Sequence, residues 1–124
     1  MPDERQHLGN FGERLAAAHL EAKGYTIIGR NFRVAQAELD LIARDGGTIV
    51  FVEVRTRRGG EAGLAAASVN KRKAAQLMKA IDRYIEQHPE AADHPLRIDV
   101  VTVELQRDGA LREVHHYEDA VRAE

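Results

Sequence analysis

Asp40, Glu53 and Arg55 are the residues whose types and spacing could do chemistry. Glu53 follows Asp40 by thirteen positions, and Arg55 lies two further on. Glu53 also ends the run Ile49-Val50-Phe51-Val52, which is otherwise apolar. Such a run reads as a buried central strand, where a carboxylate is expensive unless something pairs with it. Side chains alternate along a strand, so Glu53 and Arg55 project from one face, with Phe51 and Ile49 behind them. Asp45-Gly46-Gly47 supplies a tight turn, which lets Asp40 on the preceding strand approach Glu53. Two carboxylates converging beside a cation could hold a divalent metal ion and hydrolyse a phosphodiester. All-oxygen donors of this kind suit Mg²⁺ or Mn²⁺ rather than zinc.

The elements that must position these groups follow from pattern and punctuation. Leu8 to Lys23 is rich in Ala and Leu and reads as a helix that Gly24 stops. Tyr25 to Arg33 reads as a strand, followed by the two strands that carry Asp40 and Glu53. Arg58 to Leu64 reads as a basic, Gly-rich loop, made mobile by Gly59-Gly60. Ser68 or Asn70 can cap a second helix running to about Gln87. Its Ala74, Leu77, Met78, Ile81, Tyr84 and Ile85 form one stripe, as expected of a helix packed on a sheet. His88-Pro89 ends it. Leu96 to Leu105 and Leu111 to His115 are two further strands about the turn Arg107-Asp108-Gly109-Ala110. The order predicts an α/β fold, a mixed sheet of about five strands flanked by helices, with Ile49–Val54 as an interior strand.

A longer series of landmarks surrounds the acids: Gly12-Glu13, Asn31-Phe32-Arg33, Glu38-Leu39-Asp40-Leu41-Ile42-Ala43, Phe51-Val52-Glu53-Val54-Arg55-Thr56-Arg57, Lys73, and Arg97-Ile98-Asp99-Val100-Val101. In this order the chain resembles the YraN-like family of small bacterial proteins. These are predicted endonucleases of the PD-(D/E)xK superfamily, similar to archaeal Holliday-junction resolvases. The resemblance spans almost the whole chain and implies a restriction-endonuclease-like fold. It also implies Asp40 and Glu53 as metal ligands, with Glu13 leaning toward the metal from the first helix. The chain departs from the pattern twice. Ala37 stands where a glycine commonly precedes the Glu-x-Asp segment, and Arg55 replaces the superfamily's lysine. Arginine effectively never loses its proton. Arg55 can therefore orient a water or stabilise developing charge on phosphorus, but it is a poor general base. The metal would then have to generate the hydroxide.

At 124 residues, with 44% hydrophobic and 31% charged, the chain reads as one globular domain, residues 1–124. No apolar run approaches the roughly 20 residues that span a bilayer. The N-terminus lacks the basic-then-apolar pattern of a signal peptide. With no cysteine, disulfides and thiolate metal sites are excluded. A cytoplasmic protein with no membrane partner is the expectation.

The net charge of −2 hides a local asymmetry: residues 55–83 carry eight Lys/Arg against two Asp/Glu. Such a basic middle can form a phosphate footprint, with Arg57, Arg58, Lys71, Arg72 and Lys73 as candidate nucleic-acid contacts. The same charges could instead solvate a helix face, and for Lys73 the two readings are balanced. Glu13 shares a helix face with Ala16, Ala17 and Leu20, so its surroundings are apolar. Glu38 shares a strand face with Asp40 and is either an auxiliary ligand or, more in keeping with its place near the strand entry, a surface acid. His115 and His116 point to opposite faces of a strand and read as structural or surface residues. Asp99 reads as a structural acid paired with an arginine.

The leading expectation is a metal-dependent DNA endonuclease acting on branched or single-stranded DNA, with Glu13, Asp40, Glu53 and Arg55 as its catalytic set. A non-catalytic nucleic-acid-binding module of the same fold, or an interaction domain with structural acids, are the alternatives. Cutting two strands takes two sites, which makes a homodimer the expected assembly.

Overall fold

The computed structural model describes residues 4–59 and 67–121, with side chains from Leu8 onward. Asp45 and Thr48 pair across a two-residue Gly46–Gly47 loop in which Gly46 takes φ 58°, a conformation that glycine adopts without penalty. That hairpin joins β2 (Ala37–Asp45) to β3 (Thr48–Arg58). β1 (Thr26–Val34) precedes them, and β4 (Leu96–Leu105) and β5 (Leu111–Tyr117) follow. The five strands form one sheet in the order β1-β2-β3-β4-β5. Only β3 and β4 are parallel, and the chain between them holds α2 (Lys71–Gln87), as a parallel crossover requires. β3 is therefore the central strand, as its apolar run dictates. The mixed five-stranded sheet with flanking helices fits the restriction-endonuclease-like plan.

Strand alternation divides the core in two. Ile49 and Phe51 face α2, where Leu77, Ala80, Ile81 and Tyr84 bury against them. Tyr84 meets both Phe32 and Phe51 edge-on, with ring centroids 5.4 and 5.6 Å apart. Val50 and Val52 face the other way and pack with Ala16, Ala17 and Leu20 of α1 (Glu4–Ala22). The two helices thus cover opposite faces of the sheet.

α1 begins at Glu4 rather than Leu8, because Glu4, Arg5 and Gln6 are good helix formers that extend the helix beyond its apolar stripe. Asn70 caps α2 by accepting from the Lys73 amide at 2.8 Å. A short 3₁₀ helix, Pro89–Asp93, follows the helix end at His88. β5 runs two residues past His115, since Val100 of β4 still offers Tyr117 a partner. Beyond Gly59, the loop expected to be mobile lies outside the described residues. Among the described residues, no helix is long and apolar enough to cross a membrane.

Candidate functional site

The sheet forks at its centre. Leu41–Val52 is the last pair that β2 and β3 share. Beyond it, β2 continues beside β1 through Leu39, Glu38 and Ala37, while β3 continues beside β4 from Glu53 to Arg58. Asp40 stands at the parting. Its Oδ2 accepts the Val54 amide at 2.8 Å, so a side chain replaces the ladder bond that β2 no longer makes. The candidate acids converge on this gap.

Glu13, Glu38 and Asp40 each bring a carboxylate oxygen within 4.8 Å of the others. Glu13 arrives from α1, and a close helix–sheet contact lets it do so. A Cβ on Gly12 would stand 1.8 Å from Thr56 Oγ1 and 2.9 Å from Thr56 Cβ, so only glycine permits this approach. Asn31 ties the acids together. With its amide nitrogen turned toward them, it donates to Glu13 Oε1 at 2.7 Å and to Glu38 Oε1 at 2.9 Å. Asn31 itself sits at φ 51°, a left-handed conformation that Asn tolerates better than most residues. Arg33 Nε lies 3.5 Å from Glu38 Oε1 on the open side.

Glu53 is 6% exposed and lies on the α2 side of the fork. Two cations face it there: Lys73 Nζ at 3.3 Å and Arg55 Nη2 at 3.9 Å. Lys73, on the first turn of α2, therefore comes nearer to the buried acid than Arg55 does. Asp40 lies within hydrogen-bonding reach of Glu53 and links the two sides of the site.

The electrostatics follow from this crowding. Burial first, then the charge of Glu53 and the hydrogen bond to it, push the Asp40 carboxyl up to about 8, against the pull of the Val54 amide. Burial, reinforced by Glu38, also raises Glu13, while Arg33, Asn31 and Arg30 oppose the rise. The acids thus lack sufficient positive charge to ionise together. A divalent cation bound by carboxylate oxygens would supply it, and the donor set fits Mg²⁺ or Mn²⁺.

Arg57, Arg58, Lys71 and Arg72 are exposed, and Arg58 Nε donates to the Arg107 carbonyl at 3.0 Å. Lys71, Arg72 and Lys73 all fall in the first turn of α2, which carries no acid. Cations there oppose the helix dipole, a local cost that a phosphate partner would offset.

Asp99, paired with Val52 across β3 and β4, belongs to a separate network. It is fully buried and accepts from Arg97 Nε at 3.0 Å and from the Asp119 amide at 2.9 Å. His116 Nε2 lies 2.7 Å from its Oδ2, while His115 is exposed beside Glu113. The second His is therefore a buried partner of Asp99, and the first a surface residue.

Sequence reasoning placed Glu38 as the weaker acid and gave Asn31 no role, yet both join the cluster. An asparagine within a strand-like run was the available signal, since Asn is depleted in strands and tolerates the left-handed region.

Known proteins resemble this chain along most of its length. A "UPF0102 protein" of Roseiflexus castenholzii is 43% identical over 105 residues, covering 85% of each chain. One from Dehalococcoides mccartyi is 45% identical over 106 residues, 85% of this chain and 86% of its own. Another, from Pelotomaculum thermopropionicum, is 40% identical over 120 residues and covers 97% and 99%. Among solved structures, Pyrococcus furiosus SfsA in complex with Ca²⁺ matches at 16% identity and a TM-score of 0.39, over 96% of this chain and 65% of that one. That likeness is too loose to bear on function. With residues 12–103 matching its family pattern, a span running from Gly12 through the fork to β4, the chain belongs to the uncharacterised protein family UPF0102.

Proposed function

We propose that the protein is a metal-dependent endonuclease that hydrolyses phosphodiester bonds in DNA. One observation carries this reading: Glu13, Glu38, Asp40 and Glu53 gather at a fork in the sheet, with Asp40 held up to about 8 and cations beside Glu53. Acids that merely solvate a surface gain nothing from such crowding. Perturbed carboxyls held together in this way are characteristic of functional sites.

Asp40 and Glu53 would hold a Mg²⁺ or Mn²⁺ ion, assisted by Glu13 and Glu38, whose carboxylates cluster with Asp40. Such an ion, once bound, polarises the phosphoryl oxygen and lowers the pKa of a bound water. The remaining work falls to the chain. Glu53 holds Lys73 and Arg55 at the site, where their charge can face a phosphate and stabilise negative charge developing on it. Arg55 stays protonated and acts as an electrostatic donor rather than a base. Asn31 keeps Glu13 and Glu38 together, and the Val54 amide fixes the orientation of Asp40.

Branched or single-stranded DNA is the proposed substrate class, and a homodimer the proposed assembly. Cleavage assayed on linear duplex, single-stranded and four-way-junction DNA, with Mg²⁺ or with EDTA, tests the function. The expected result is metal-dependent cutting of at least one substrate, lost in Glu53→Ala. Salt-dependent binding without cleavage, in the wild type and in Arg55→Lys alike, would favour a binding module that keeps the fold without turnover.

A further inference from the structure

We infer that a single phosphodiester strand lies in the groove between the β1–β2 hairpin tip and α2. This rests on the nuclease reading and names where the substrate strand runs on leaving the fork. The groove is a cavity of about 480 Å³ walled by residues 34–37 of the hairpin on one side and by Lys79, Arg83 and Gln87 on the other. The hairpin wall (Val34, Ala35, Gln36 and Ala37) carries no charge, so it neutralises none of the cations opposite. The next residue after that wall is Glu38, one of the clustered acids, so the groove begins where the site ends.

The helix wall is part of a longer stripe. Arg72, Gln76, Lys79, Arg83 and Gln87 recur at spacings of four, three, four and four, which places them on one side of α2. At about 1.5 Å per residue the stripe is about 22 Å long. It starts next to Lys73, which already reaches Glu53, and ends at the hairpin tip. Its members are three cations and two amides, the groups that contact phosphate and sugar without reading sequence. Of the acids on α2, Glu86 stands nearest this side, and it pairs with Arg83 at 3.7 Å while both remain exposed.

Charge and shape together select the occupant. Cations facing an uncharged wall complement a phosphate backbone, not an apolar peptide. A volume of this size is that of a small-molecule pocket, room for about one or two nucleotides rather than for the paired strands of a duplex. A strand lying in it is therefore single or splayed where it crosses the hairpin.

Fluorescence anisotropy with a labelled single-stranded oligonucleotide and its duplex tests the inference, in Ca²⁺ or EDTA so that binding is read apart from cutting. Lys79→Ala/Arg83→Ala should weaken single-strand binding about tenfold. It should also reduce the slope of log affinity on log salt by about 1.4, two phosphates at about 0.7 each. Glu86→Gln, which frees Arg83, should tighten binding and thus move the opposite way. Both changes fall on exposed positions, and matching thermal melts verify the fold. Unchanged affinity and salt slope in the double variant, with the wild type binding normally, overturn the groove and leave the nuclease reading standing. A larger loss on duplex than on single strand overturns it as well. A wild type that binds no nucleic acid overturns both.

Discussion

Replacing Asp40 with Asn should make the protein more stable at pH 8, with an advantage that shrinks as pH falls and vanishes only below about 4. The Asp40 carboxyl titrates at about 8 in the fold against an ordinary value of 3.8. Between those values the native state binds a proton that the unfolded chain does not, so stability falls as pH rises through this window. At 1.36 kcal/mol per unit over about four units, the decline is at most about 5 kcal/mol by pH 8. Asn keeps an acceptor for the Val54 amide and carries no charge, so it removes the penalty and keeps the bond. His19 acts the other way: burial and then Lys23 depress it from 6.5, so its contribution is lost as pH falls below 6.5. Between pH 6.5 and 8 His19 therefore does not mask the decline that Asp40 sets, and Glu13, also raised by burial, acts in the same direction as pH rises above its ordinary 4.5. Thermal melts of wild type and Asp40→Asn in metal-free buffer provide the readout, at about 3–5 °C per kcal/mol for a chain of this size. The two melting temperatures should diverge steadily from pH 5 to 8, with the variant higher. Parallel profiles would refute the claim that Asp40 is held neutral by its neighbours. Saturating Mn²⁺ should reverse the order at pH 8 by stabilising only the intact site.

Three further outcomes follow from the geometry. Gly12→Ala should cost about 1–3 kcal/mol by overpacking α1 against Thr56. It should also weaken Mn²⁺ binding by displacing Glu13; calorimetry showing unchanged affinity would mean that Glu13 is not a ligand. Asp99→Ala should destabilise by about 3–5 kcal/mol in urea unfolding, because it strands the partly buried Arg97 and the buried His116 ring. A loss below about 1 kcal/mol would show that the network is dispensable. Arg55→Lys should preserve or raise Mg²⁺-dependent cleavage in a gel assay, since a point charge at that position serves as well. Complete loss would show that the planar guanidinium is needed.

The layers of the fold were legible in the sequence because they are set by local patterns. The run Ile49–Val52 announced a central strand, and the Ala74–Ile85 stripe announced a helix on its face. The meeting of Asp40 with Glu53 was legible too, through the Gly46–Gly47 turn. The fork was not. Strand-like composition continues through Glu38 and through Val54 to Arg58, and nothing local records that β2 and β3 stop pairing after Leu41–Val52. Lys73 shows the same limit, since its helix position fits a solvated face and only packing carries its Nζ to Glu53. Asn31 required the left-handed backbone to be seen before its amide could be placed between two acids. Contacts between elements distant in sequence set each of these features, and residue type alone carries little trace of them.

Titration calorimetry with Mn²⁺ near pH 7, repeated in buffers of different ionisation enthalpy, tests the central claim most directly. The wild type should bind one ion per chain and release about one proton, the one that Asp40 holds when no metal is present. The double variant Asp40→Ala/Glu53→Ala should lose both the affinity and the proton release. Equal affinity in the wild type and the double variant would contradict the proposed site.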